Sequence, residues 1–304
     1  MRRYWLGLAA ASALSACGGG NPFLEDDTTT PDPDPGLQIP EELAGDVTSV
    51  SYDPVNETLT ISGVELVSGQ DTTTYVRNAA LDRAGYEAYT FQQDAQKEHA
   101  TAYVRQSEGG YATVVMTGGQ FGTFHGGTSY GRDNSFSAPD VTAPNNGLVS
   151  YAGTYVGLLN INGDTGDLIP PSPGADPDIL PGQAAEVTGK AYMNADFGGL
   201  SVEGGVYDRT ITDHTGVTVE NLTLYEGTLA TDGSFTGDVH VDGGGVGKYG
   251  GVFTGTDAAA VAGTLHATGH IEELNNGTVP IEEFGVFVLD SCNGANADPA
   301  CPAP

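Results

Sequence analysis

Between Val47 and Leu289 the chain runs as a succession of short stretches in which apolar and polar residues alternate, separated by clusters of Gly, Asp, Asn and Pro. Alternation with period two places every second side chain on one face of a strand. Long stretches with apolar residues at i, i+3, i+4 and i+7 are absent, which excludes a helical core. A chain with 45 glycines and 14 tyrosines can make many tight turns and fill the spaces between strands with large rings. The expected fold class is therefore all-β: an N-terminal antiparallel sheet followed by an eight-stranded antiparallel barrel.

The first part is read from a hairpin, Val47–Tyr52 and Thr58–Val64 around Asp53-Pro54-Val55-Asn56. Further runs follow at 73–77, 86–92, 101–106, 111–117 and 120–124, with room for a short helix near 94–98. The Pro-, Asp- and Asn-rich loop 138–147 marks the boundary, giving a sheet domain over 46–148. Eight runs then follow at 149–158, 186–195, 200–208, 217–226, 234–241, 248–254, 260–268 and 282–289. Eight antiparallel strands can close on themselves over 149–290, which removes both sheet edges and leaves an interior that side chains can fill. The remaining 291–304 form a tail.

The N-terminus sets the compartment. Arg2 and Arg3 precede an apolar stretch, Tyr4 to Ala13, too short to span a bilayer, and then Leu14-Ser15-Ala16-Cys17. This arrangement resembles the lipobox of bacterial lipoproteins, which implies a signal peptide over 1–16, acyl chains on Cys17, and, with glycines at 18–20 and no acidic residue there, passage to the outer membrane. Residues 17–45, with Asp and Pro alternating through Pro31-Asp32-Pro33-Asp34-Pro35, read as an extended, disordered linker. The formal charge is −30, and loss of Arg2 and Arg3 takes it to −32. Such a chain is not built to hold nucleic acid or an anionic lipid surface by charge. It favours a basic partner, cations, or simply solubility.

Several motifs invite a chemical reading. Gly127-Thr128-Ser129-Tyr130-Gly131 matches a nucleophile elbow, but a polar loop follows where a helix is required. Gly243 to Lys248 lacks the spacing and the hydroxyl residue of a phosphate loop. Asn160 to Asp167 has the flavour of a calcium loop without its first aspartate or closing glutamate. The six histidines include no helical i, i+4 pair, and on a strand His266 and His270 stand roughly 13 Å apart. No metal, cofactor or catalytic residue is assigned. Cys292 and Cys301 enclose eight turn-forming residues and in an oxidising compartment are expected to form a disulfide. Gly250, Gly251, Gly255 and Gly263 read as points of tight curvature or close approach to a facing ring. The loops 160–185 and 243–247 are candidate binding loops by length and composition.

The run Lys248-Tyr249-Gly250-Gly251-Val252-Phe253-Thr254-Gly255-Thr256-Asp257-Ala258-Ala259-Ala260-Val261-Ala262-Gly263-Thr264-Leu265 resembles the C-terminal barrel of the transferrin-binding protein B family, as do Ala195-Asp196-Phe197-Gly198-Gly199 and Gly233-Ser234-Phe235-Thr236-Gly237. The resemblance spans about 149–289. It implies a handle-like sheet followed by a barrel in an outer-membrane lipoprotein, often displayed on the cell surface, that binds host iron proteins, haem proteins or complement regulators. This chain holds one handle-plus-barrel unit where the transferrin receptor has two lobes, and no binding residue is carried over. Two functions are weighed: a non-catalytic binding protein whose partner is an extracellular protein or a haem or iron ligand, and a structural or periplasm-facing solute-binding envelope lipoprotein. Membrane attachment through the N-terminal lipid anchor is common to both.

Overall fold

The computed structural model describes residues 37–301, apart from 68–69, 134–135, 144, 146, 164–165 and 275–279. The signal peptide, Cys17 and the linker up to residue 36 lie outside the described residues.

Seven strands form the first sheet: β1 (Ser49–Asp53), β2 (Thr58–Val67), β3 (Gln70–Arg77), β4 (Glu87–Gln92), β5 (His99–Ser107), β6 (Gly110–Thr117) and β7 (Gly126–Arg132). Each pairs antiparallel with the next in sequence. The β1–β2 turn forms where Asp53 Oδ1 accepts from the backbone N–H groups of Val55 and Asn56 at 2.9 and 3.0 Å, the local bonding that makes Asp a turn residue. Alternation then divides the sheet's faces. Tyr89, Ala100, Ala102, Val104 and Val115 point to one side and are covered by Leu59 and Ile61 of β2 and Tyr75 of β3. The sheet thus curls over on itself around a small core. Ala88, Tyr103, Ala112, Val114 and Met116 point the other way.

Three expectations need correction here. Residues 120–124 form a turn with a single bridge between Gln120 and Thr123, and the last strand is instead Gly126–Arg132. Its sequence, GGTSYGR, hides the alternation because glycines occupy the places where apolar residues would stand. They are required by crowding: a Cβ on Gly127 would collide with the Ala44 carbonyl, and one on Gly131 with the Tyr111 hydroxyl. The stretch near 94–98 is a turn, with Lys97 N–H donating to Asp94 O at 3.1 Å, and no helix. The linker reading also extends too far. Glu41–Ala44 form a one-turn helix, α1, whose Leu43 is fully buried, and Leu37 and Ile39 pack partly buried beside it.

The barrel strands are β8 (Leu148–Asn162), β9 (Ala184–Asp196), β10 (Ser201–Ile211), β11 (Leu222–Leu229), β12 (Ser234–Val241), β13 (Gly244–Thr254), β14 (Ala260–Thr268) and β15 (Glu282–Ser291). All eight expected runs are present, β11 beginning five residues later than the sequence suggests because 217–221 carry no ladder. β15 returns to β8, with Phe287 opposite Tyr155, so every strand has two partners. Rings fill the interior. Phe253 lies 5.2 Å from Tyr151, 4.9 Å from Phe197 and 5.2 Å from Phe235, measured between centroids. A Cβ on Gly251 would strike Phe235, and one on Gly263 would strike Phe287. The glycines are where the rings fit.

The sheet rests directly on the barrel's outer wall. Tyr86, Tyr103, Val114 and Met116 share one core with Val156, Leu158, Val252, Phe284, Val286 and Val288. Tyr86 reaches across it: its hydroxyl accepts from Val288 N–H at 2.9 Å and donates to Thr154 O at 3.1 Å. β15 serves both cores, with Phe287 and Leu289 facing the interior and Phe284, Val286 and Val288 facing the sheet. A strand buried on both faces reads as a continuous apolar run, which explains the sequence FGVFVL.

Candidate functional site

The most concentrated chemistry lies inside the barrel, near the end formed by the β10–β11, β12–β13 and β14–β15 connections. Glu283 on β15, Arg209 on β10, His270 just beyond β14 and Tyr155 on β8 are all buried, with the first three side chains wholly out of solvent. Arg209 donates to Glu283, His270 Nε2 stands 2.8 Å from Glu283 Oε2, and Tyr155 donates to Glu283 Oε1 at 2.5 Å. Arg209 also donates to the Glu220 carbonyl at 2.5 Å. Burial by itself would raise the Glu283 pKa. The guanidinium of Arg209 and the hydrogen bonds from His270 and Tyr155 overcome that penalty and hold it down to about 2. The Tyr155 phenol is pushed far up, first by burial and then by the carboxylate beside it. Glu283 is thus an anion at neutral pH, paired with the Arg209 guanidinium. A cleft of about 370 Å³ sits over this end, lined by Thr218, Glu220, Asp242, Val246, His270 and Glu273 among others.

The sequence carries one signal for this cluster. Glu283 has the same parity along its strand as the inward-facing Phe287 and Leu289, so a carboxylate at that position must enter the barrel. Arg209 lies near the end of β10 and gives no such warning by itself.

Ser129 lies in the middle of β7, paired with Thr113, so the strand–turn–helix geometry of a nucleophile elbow is not formed there. Residues 243–247 make the β12–β13 turn and the start of β13, where Lys248 pairs with Asp238 across the hairpin. Asn160 spends its side chain on Pro280 O and Glu282 N–H, and Asn162 Oδ1 accepts from Gly119 N–H at 3.0 Å. Among the described residues no group of three His, Cys, Asp or Glu side chains is arranged to hold a metal. The histidines are dispersed. His99 meets Asp167, His125 approaches Asp46, His214 bonds Asn162 O, His240 stacks on Tyr225 and His266 on Phe284. Cys292 and Cys301 are joined by a disulfide with 5.5 Å between Cα atoms.

The long loop between β8 and β9 is tied to the sheet. Asp167 bonds His99 Nε2 at 2.7 Å and accepts from Asn78 at 2.6 Å. Ile169 N–H donates to Gln92, the Gln120 amide donates to Ile179 O at 2.7 Å, and Gly182 N–H donates to Gly119 O at 2.8 Å. Burial pushes the His99 pKa down, against the pull of Asp167. A second tie joins sheet and barrel: Arg83 Nε donates to Glu186, whose side chain is 2% exposed, at 2.7 Å. Of the two candidate binding loops, this one is a brace between sheet and barrel, and the hairpin at 242–247 rims the cleft.

A curled antiparallel sheet docked on the wall of a closed eight-stranded barrel can be compared with known folds. The chain is similar to transferrin-binding protein B. A double mutant of that protein from Haemophilus parasuis matches with 13% identity and a TM-score of 0.41, covering 80% of this chain and 42% of that one. The isotype 1 protein from serogroup B Neisseria meningitidis matches with 14% identity and a TM-score of 0.40, covering 80% and 40%. The chain thus spans about two fifths of the length of these structures. No family model and no curated protein matches the sequence.

Proposed function

We propose that the chain is an outer-membrane lipoprotein, anchored through acylated Cys17 and displayed at the cell surface, that binds an extracellular protein without converting it. The reading is supported chiefly by how the body is built. Its barrel is filled, its sheet and barrel share one core, and its longest loop is pinned, so the shape offered to a partner is rigid and external. Rigid, pre-organised surfaces bind with little ordering cost. The resemblance supplies the partner class, a protein carrying iron or haem, and the net charge, −30 for the whole chain and −32 once Arg2 and Arg3 are lost, favours a basic face on that partner.

Treatment of intact cells with a non-permeant protease, followed with an antibody against the barrel, tests the display. Loss of the protein with periplasmic controls intact is the expected result. Full protection until the outer membrane is opened would instead favour a periplasm-facing structural or solute-binding lipoprotein.

A further inference from the structure

His270 touches both the buried cluster and the cleft at this end of the barrel. Its side chain is wholly out of solvent, yet the residue lines the cleft of about 370 Å³. Nε2 is turned to Glu283 at 2.8 Å. Glu283 is an anion that already accepts from Arg209 and Tyr155, so the hydrogen of this bond sits on Nε2. In the neutral ring that leaves a bare lone pair on Nδ1, which faces away from Glu283, and a carboxylate on one ring nitrogen makes the other a better base. Nδ1 is buried and has no hydrogen-bond partner. Buried polar atoms are paired in the large majority of cases, so this acceptor lacks a donor that the chain itself does not supply.

The other residues of the cleft define the donor that fits. Glu220, Asp242 and Glu273 line it with their side chains exposed, and Thr218 N–H holds the Glu273 carboxylate at 3.2 Å. Among the described residues no lysine or arginine lines the cleft with them. Arg209, which approaches His270 Nε2 at 3.4 Å, is itself spent on Glu283 and the Glu220 carbonyl. Val241 and Val246 add an apolar wall, both packed partly buried against the barrel core. A buried acceptor, exposed carboxylates and aliphatic side chains together match a ligand with positive charge, N–H donors and a carbon chain. The volume is in the range that small-molecule sites occupy. We propose that the cleft binds a short aliphatic diamine, one ammonium group donating to His270 Nδ1 and the other held by the carboxylates of Glu220, Asp242 and Glu273. This site goes beyond the protein-binding reading and does not depend on it.

Titration of the full chain in detergent with 1,4-diaminobutane tests the site, followed by calorimetry and by proton–nitrogen correlation spectra of histidine-labelled protein. One diamine per chain should bind, and the Nδ1 resonance of His270 should move while those of His99 and His214 stay. E220Q/D242N/E273Q changes only exposed side chains and should weaken binding about tenfold at an unchanged thermal midpoint. The whole chain is acidic, so E57Q/D71N/E203Q, which makes the same change in charge elsewhere on the surface, is the control. An equal loss in that variant, or many weak sites, would reduce the binding to attraction by net charge and overturn the proposal. A His270 signal that does not move at saturation would overturn it as well, and tighter binding of zinc at that nitrogen would overturn the ligand class.

Discussion

The barrel and the sheet solve the same problem in opposite ways. Both are antiparallel meanders in which each strand pairs with its sequence neighbour, yet the barrel returns β15 to β8 and has no edge, while the sheet leaves β1 and β7 apart. Closure in the barrel creates an interior that must be filled, and it is filled with apolar side chains, many of them rings, plus one ion-paired cluster around Glu283. The sheet buries its inner face against its own first strands and its outer face against the barrel. Stability in one region therefore depends on burying charge correctly, and in the other on borrowed walls.

The comparison breaks most sharply at Glu283. Glu283→Ala leaves Arg209 buried without its carboxylate, and removing one partner of such a pair costs about 3–5 kcal/mol. A large drop in the thermal midpoint is expected, and E283L/R209M, which removes both charges, should recover much of it. At the sheet–barrel wall, Tyr86→Phe leaves Val288 N–H and Thr154 O without a protein partner; about 1–3 kcal/mol should be lost, with exchange in β4–β6 rising before exchange in the barrel. Replacing Cys292 and Cys301 by Ser opens only a short loop, worth about 2–3 kcal/mol by loop closure. Because Cys292 N–H already donates to Ser150 O at 2.8 Å, its effect should concentrate beyond residue 292 in an exchange map. Least of all, Lys190→Ala removes an exposed partner of Asp208, and the midpoint should not move measurably.

Acid should separate the two regions. Glu283 is held below its ordinary 4.5, so the folded barrel binds fewer protons than the unfolded chain between that value and about 2. Its stabilisation is complete above pH 4.5 and is lost as pH falls toward 2. His99 is pushed below its ordinary 6.5, so the brace from loop 163–183 to the sheet loses stability as soon as pH falls below 6.5. Acid titration followed by exchange should show the loop loosening first and the barrel last. Simultaneous loss would show that the brace and the barrel form one cooperative unit.

The barrel was the more legible half. Its runs alternate cleanly, its turns carry Asp-Gly pairs, and β12 and β14 begin and end where the alternation does. The sheet was harder, because its last strand is written in glycines that crowding demands, and crowding by Ala44 or Tyr111 is a tertiary fact. α1 is illegible for a related reason: one turn with a single buried leucine has no periodicity to read. The Glu283 cluster joins positions 155, 209, 270 and 283, and only the parity of one carboxylate hinted at it.

β15 has a further consequence, in time. Of the described strands it is the last to be synthesised, and it is the stave that seals the barrel against β8 as well as the wall on which Val286 and Val288 receive Tyr86. Synthesis proceeds from the N-terminus, and contacts this distant in sequence form only once both ends exist. Until residues 282–291 are present, neither the free edge of β8 nor the Tyr86 face of the sheet has its partner, so both closures wait on the same ten residues.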